Sequence, residues 1–212
     1  MAFTAQDVKK LREMTNVGMM DCKKALQATD GDMDAAIDWL REKGLAKAAK
    51  KAGRVAAEGV AYAAVIGGVG VVIEVNSETD FAAKTDSFLD LVKNLAVIVA
   101  EQNPADVEAL KACKYPASEL TVTEIMQEKV MSIGENMQIR RFARFADNTS
   151  VAYVHAGGTH GVLVNLAVEG DIDVTEIGKN VAMQIAAMSP KYWDKAQVPQ
   201  ADVTRRWPCR SL

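Results

Sequence analysis

Residues 60–75 carry the pattern that most restricts the fold. Val60, Tyr62, Ala64 and Ile66 alternate with their neighbours, Gly67-Gly68 follows, and Val69, Val71, Ile73 and Val75 alternate back. A period of two on both sides of a glycine pair predicts a β-hairpin with one buried face. The flanking segments repeat at a helical period instead. Phe88, Leu91, Val92, Leu95 and Val99 lie on one side of a helix, as do Val122, Ile125, Met126, Val130 and Ile133, a helix that Gly134 terminates. Hairpins beside separate helices predict an α+β chain.

The first forty or so residues read as three short helices. Thr4 followed by Asp7 is a capping-box variant ahead of Val8 and Leu11. Asp21 is placed to cap a second helix through Leu26. Thr29-Asp30-Gly31-Asp32 interrupts the pattern, and Met33, Ala36, Ile37 and Leu40 define a third helix ending near Lys43. Lys47 to Arg54 then brings four bases and no acid, closed by glycine. This block reads as a solvated connector in preference to an RNA contact. Further on, Met137 to Phe145, Val151 to His155 and Val162 to Val168 are predicted strands. Ile177, Val181, Ile185 and Met188 line a helix that stops before Pro190.

The expected division is a three-helix unit over 1–46, a basic linker over 47–57, sheet-plus-helix subdomains over 58–136 and 137–205, and a tail over 206–212. The strand order is open at this point.

Charge narrows the function. With 25 basic and 28 acidic residues the net charge is −3, which gives no field to gather DNA or RNA. The uncharged runs at 59–73 and 148–168 are too short or too polar to span a bilayer, and the N-terminus lacks the apolar stretch of a secretory signal. These features predict a cytoplasmic protein with no membrane partner. Cys22, Cys113 and Cys209 have unrelated spacings and are read as reduced thiols. No zinc spacing, Walker motif or G-x-S-x-G is present, so neither a metal nor a cofactor is expected. His155 and His160 bracket a glycine-containing turn without a third ligand or a nucleophile, which favours packing and hydrogen bonding over catalysis.

Two places put bulky apolar side chains in polar or glycine-containing surroundings. Met19-Met20 follows Gly18 at a helix junction, and one of the pair is expected to be buried. Thr79-Asp80-Phe81-Ala82 sets an acid beside an aromatic in the polar stretch after the hairpin. Phe81 either tucks into the core or anchors in a partner, and composition alone favours the core.

Leu11 to Leu26, Ala48 to Gly53, Glu74 to Lys84, Ile133 to Arg141, and Tyr153-Val154-His155 leading into Gly161 to Val164 together resemble the bacterial elongation factor Ts family. The five matches lie in order over nearly the whole chain. The resemblance implies a ubiquitin-associated-like N-terminal domain, a linker, and a core of two antiparallel sheet-plus-helix subdomains, the second incomplete here. It implies a guanine-nucleotide exchange factor, not an enzyme of covalent chemistry, acting on elongation factor Tu in its GDP-bound and nucleotide-free forms. It further implies that Thr79, Asp80, Phe81 and Ala82 disturb the partner's magnesium site, with Met19, Met20, Ile133, Gly134 and His155 as supporting contacts. A form that docks without efficient exchange is the alternative. Two departures stand out. Ala82 replaces the usual valine of the family's motif. After Pro199 to Arg205, which still resemble the family, Arg206-Trp207-Pro208-Cys209-Arg210-Ser211-Leu212 do not, and they read as out-of-frame translation.

Overall fold

The structure is a computed structural model that describes residues 3–15 and 17–203. Cys209 and the 206–212 tail lie outside the described residues. The chain is α+β, as the alternating periods imply.

Helix α1 (Ala5–Thr15) starts at the foreseen cap. The Thr4 N–H and hydroxyl donate to Asp7 Oδ2 at 2.7 and 2.8 Å, and the Asp7 N–H returns a 3.3 Å bond to Thr4 Oγ1. Helix α2 (Met19–Ala28) begins two residues before the expected Asp21 cap, with Gly18 at its N-cap. Asp32 caps α3 (Met33–Lys51) by accepting the Ala35 N–H at 3.0 Å. Leu11, Cys22, Ala25, Leu26, Ala36 and Leu40 close a small core among the three helices.

The third helix does not end near Lys43. It runs through the basic segment to Lys51, because this alanine-rich stretch has high helix propensity and a helix to rest on. That support is α7 (Val122–Ile133). Gly44 lets the two helices approach closely: a Cβ there would stand 3.2 Å from Met131 Sδ. Arg41 Nε also meets Glu128 Oε1 at 3.2 Å across the contact.

Strands β1 (Glu58–Ile66), β2 (Val69–Ser77) and β3 (Met137–Phe145) form an antiparallel sheet in the order β1-β2-β3. Sequence pattern groups Met137 to Phe145 with the second half, but hydrogen bonding places this strand beside β2. Ile139 there faces Val75, and a register shift between Glu74 and Val75 accommodates the pairing. The short helix α4 (Asp80–Ala83) follows β2. Helix α5 (Asp86–Gln102), capped by Thr85, lays Phe88, Leu91, Val92, Leu95, Ile98 and Val99 into the main core against Val71, Ile73 and Val75. A further helix not foreseen from sequence, α6 (Val107–Ala112), joins it to α7.

Strands β4 (Thr149–His155) and β5 (His160–Leu166) make a separate two-stranded sheet. Helix α8 (Thr175–Met188) covers it. Its Gly178 permits the contact, since a Cβ would lie 2.5 Å from Val151 Cγ2. The β4–β5 turn reaches the first sheet, where the Ala61 N–H donates to the Gly158 carbonyl at 2.8 Å. Among the described residues the second sheet has only two strands, which fits an incomplete subdomain. A 3-10 turn (Lys195–Gln197) and α9 (Gln200–Val203) end the described chain.

Candidate functional site

The polar stretch after β2 is built as a capped turn of helix. Thr79 is its N-cap, in extended backbone, and its hydroxyl accepts the Ala82 N–H at 3.3 Å. Ser77 Oγ donates to the Thr79 carbonyl at 2.9 Å, and Thr85 Oγ1 closes the other end on the Ala82 carbonyl at 2.8 Å. Ala82 and Ala83 face inward and are buried. Phe81, between Asp80 and Ala82, points out and is 81% exposed. The core placement that composition favours is therefore overturned. A four-residue helix buries only one side, and the two alanines already occupy it.

A second turn holds the first. Helix α7 ends at Gly134, whose φ of 88° is the left-handed conformation that glycine adopts without strain. The next two residues grip the Phe81 turn from both sides. Glu135 accepts the Thr79 N–H at 3.0 Å on one carboxylate oxygen and the Thr79 hydroxyl at 2.7 Å on the other. In the opposite sense, the Asn136 N–H donates to Glu78 Oε1 at 2.6 Å. Each turn thus supplies a carboxylate to a backbone N–H of the other, a charge-assisted pairing stronger than that between neutral groups.

The end of α3 joins this clasp. Lys51 Nζ donates to the Gly134 carbonyl. The Arg54 guanidinium meets Glu78 Oε2 at 3.4 Å, and Asn136 Nδ2 donates to the Arg54 carbonyl at 2.8 Å. The basic block read as a connector is therefore tied at its end to the residues that fix Phe81.

Electrostatics follow from these contacts. The Asn136 N–H first, and the neighbouring Arg54 after it, hold the Glu78 carboxyl below the ordinary carboxylate range. A hydrogen bond from Lys84, with its 2.7 Å ion pair, does the same for Asp80. Burial pushes the Cys22 and Cys113 thiols up, away from the thiolate form a nucleophile needs. Among the described residues no cluster of three His, Cys, Asp or Glu side chains could hold a metal ion.

The other candidate residues sit on separate elements. Ile133 and Gly134 close α7 directly before Glu135, so they share the Phe81 neighbourhood. Met19 and Met20 open α2 in the helical unit, 49% and 65% exposed. Neither is buried, contrary to expectation, because the inward stripe of α2 is Cys22, Ala25 and Leu26, one turn further on. His155 ends β4 on the second sheet, where its Nδ1 and the Tyr153 hydroxyl share a 2.8 Å hydrogen bond and the His160 ring stands edge-on at 6.0 Å. A cleft of about 410 Å³ between α3 and α7, lined by Leu40, Leu45, Lys129 and Met131 among others, contains none of the candidate residues.

Sequence reasoning passed over Glu78, Glu135 and Asn136 as site residues. The available signal was adjacency: Glu78 precedes Thr79, and Glu135 follows Gly134. Acids in polar turns are ordinarily solvated, and no periodicity reports a contact between positions so far apart.

The Elongation factor TS family model matches residues 78–207, a span that includes both halves of the clasp. The chain is similar to elongation factor Ts of Magnetococcus marinus, with 45% identity over 208 residues, 97% of this chain and 69% of that protein. It is 49% identical over 216 residues to elongation factor Ts of Trichlorobacter lovleyi, covering 97% and 69% of the two chains. With elongation factor Ts of Paramagnetospirillum magneticum the identity is 47% over 211 residues, covering 96% and 67%. No helix among the described residues is long and apolar enough to cross a membrane. The chain belongs to the elongation factor Ts family, the nucleotide-exchange factors of translation elongation.

Proposed function

We propose that this chain binds elongation factor Tu carrying GDP, disturbs the magnesium and phosphate site of that partner through Thr79, Asp80, Phe81 and Ala82, and so promotes replacement of GDP by GTP. The observation that carries the reading is the exposure of Phe81 on a turn that Thr79 caps and Glu135 holds by hydrogen bonds. A phenyl ring left in water on a rigid support is an anchor awaiting a pocket. Burying about 150–250 Å² there gives roughly 4–6 kcal/mol of gross apolar transfer before the costs of association.

The exchange needs no covalent step. A protein that binds the partner better without its nucleotide weakens nucleotide binding by the same factor, because the coupling is reciprocal. Asp80 stands beside the ring with its charge shared by Lys84, and Ala82 holds the turn onto the sheet. Met19 and Met20, flexible and exposed at the start of α2, suit a second apolar contact. Ile133, Gly134 and His155, at the ends of α7 and β4, are the further supporting contacts. The reaction calls for no resident metal or cofactor in this chain, and no DNA, RNA or membrane contact. Its setting is the cytoplasm, where translation elongation runs.

One observation favours a second reading, docking without efficient exchange. Among the described residues the second sheet has two strands, and Ile177, Val181 and Met188 on its covering helix are exposed, as expected of an incomplete second subdomain. Release of a fluorescent GDP from elongation factor Tu, measured with and without the chain, decides between the two. Accelerated release supports exchange. Complex formation at an unchanged release rate supports docking alone.

A further inference from the structure

We propose that Glu135 is a positioning residue for exchange: by holding the N-cap of the Phe81 turn from 56 positions away, it fixes the direction in which the ring meets the partner. This rests on the reading of Phe81 as the inserting side chain.

Helix α4 cannot hold its own shape. A four-residue helix has too few internal hydrogen bonds to persist alone, since nucleation is unfavourable and only longer helices recover its cost. Its conformation must be imposed from outside. Ala82 and Ala83 hold one side onto the sheet, but small side chains set depth better than rotation. The rotation is set at Thr79, the residue where strand becomes helix.

Both polar groups that Thr79 can donate go to Glu135, one to each carboxylate oxygen. The hydroxyl donates its only proton to Glu135 Oε1, so its lone pairs are free to cap the Ala82 N–H. Glu135 thereby fixes the rotamer through which Thr79 caps the turn. Glu135 itself has little freedom. It follows the left-handed Gly134 and precedes buried Asn136, whose N–H is held by Glu78 and whose amide is held by the Arg54 carbonyl. Lys51 on the Gly134 carbonyl brings the end of α3 to the same place. The aim of Phe81 is thus referred to α7 and α3, both long and packed, and not to the strand end alone.

The test uses the 212-residue chain with elongation factor Tu loaded with fluorescent GDP, titrated to saturation, and compares Glu135→Ala, Glu135→Gln and Phe81→Ala. Glu135→Ala is expected to lower the maximal release rate about tenfold, as loss of a doubled charge-assisted bond implies, with half-saturation within about threefold of the parent. Amide exchange at Ala82, Ala83 and Lys84 should accelerate by a similar factor while the β2 amides stay protected. Glu135→Gln, whose carbonyl can still accept the Thr79 N–H and whose amide can donate to the hydroxyl, should restore most of both. Were Glu135→Ala to change half-saturation alone, or to leave release and α4 protection as in the parent, the positioning role would be overturned. Loss of release in Phe81→Ala with no loss in Glu135→Ala would remove the positioning role and keep the exchange reading. An unaltered rate in Phe81→Ala would remove both. Should Glu135→Ala not fold, Thr79→Val, which deletes the hydroxyl and keeps the N–H, is expected to show the same fall in maximal rate and the same α4 opening, and normal behaviour in it would overturn the proposal.

Discussion

Thr79 and Glu135 are joined by two hydrogen bonds, 3.0 Å from the threonine N–H and 2.7 Å from its hydroxyl, across 56 positions of sequence. This pairing ties the start of the Phe81 turn to the end of α7. It explains how a phenyl ring 81% exposed to water stands on an ordered support. The C-terminal ends of α3 and α7 meet in the same neighbourhood, through Lys51 on the Gly134 carbonyl and Asn136 on the Arg54 carbonyl.

Two phenylalanines separated by seven positions should behave in opposite ways. Phe88 is 0% exposed in the main core, and Phe88→Ala is expected to cost about 3–5 kcal/mol in denaturant unfolding. Phe81→Ala removes a ring that touches mainly solvent and should stay within about 0.5 kcal/mol of the parent. A core-sized loss at Phe81 would contradict its placement.

Two glycine replacements should differ in sign. Alanine gains up to about 1 kcal/mol over glycine inside a helix, while overpacking costs about 1–3 kcal/mol. At Gly44 the added Cβ meets Met131 Sδ at 3.2 Å, a flexible thioether that can move, so Gly44→Ala should stabilise slightly. At Gly178 it meets the branched Val151 at 2.5 Å, so Gly178→Ala should destabilise. Thermal unfolding of the two variants checks both signs.

The Glu78 carboxyl sets an acid limit on the clasp. Its pKa in the folded chain lies below the ordinary 4.5, chiefly because the Asn136 N–H stabilises the anion. A lowered folded-state value contributes stability that is present above 4.5 and is lost as pH falls through the folded value. The Asn136 amide resonance should therefore move with a midpoint below 4.5, and Glu78→Gln should flatten that titration. A midpoint at or above 4.5 would contradict the bond.

The two sheets should differ in protection. Strand β2 is paired on both sides and packed against α5, whereas β4 and β5 have one hairpin partner each. Sheets of two strands are marginal without further packing. Amides of β4 and β5 should exchange faster than those of β2, and equal protection would show that α8 and the β1 contact suffice.

Much of the fold is legible because its signals are local. The Thr4–Asp7 cap, the Gly67-Gly68 turn and the Gly134 stop each operate within a few residues, and the structure has all three. What sequence could not supply depends on neighbours brought from far away. The basic segment reads as linker on its charge, yet α7 lies beside it and the helix continues to Lys51. Met137 to Phe145 reads as a strand from its own pattern, but its pairing with β2 is a matter of topology. Phe81 illustrates the limit for the site: its residue type favours burial, and its exposure follows from Ala82 and Ala83 having taken the inward side. The family resemblance pointed to Phe81, while Glu78 and Glu135, which hold it, emerge only from the geometry.

The role of the Phe81 ring in exchange is read from the rate of fluorescent GDP release from elongation factor Tu at saturating chain, for the parent and for Phe81→Ala. Marked acceleration by the parent is expected, with loss of most of it in Phe81→Ala and the variant as stable as the parent. Equal acceleration by the two proteins would contradict that role.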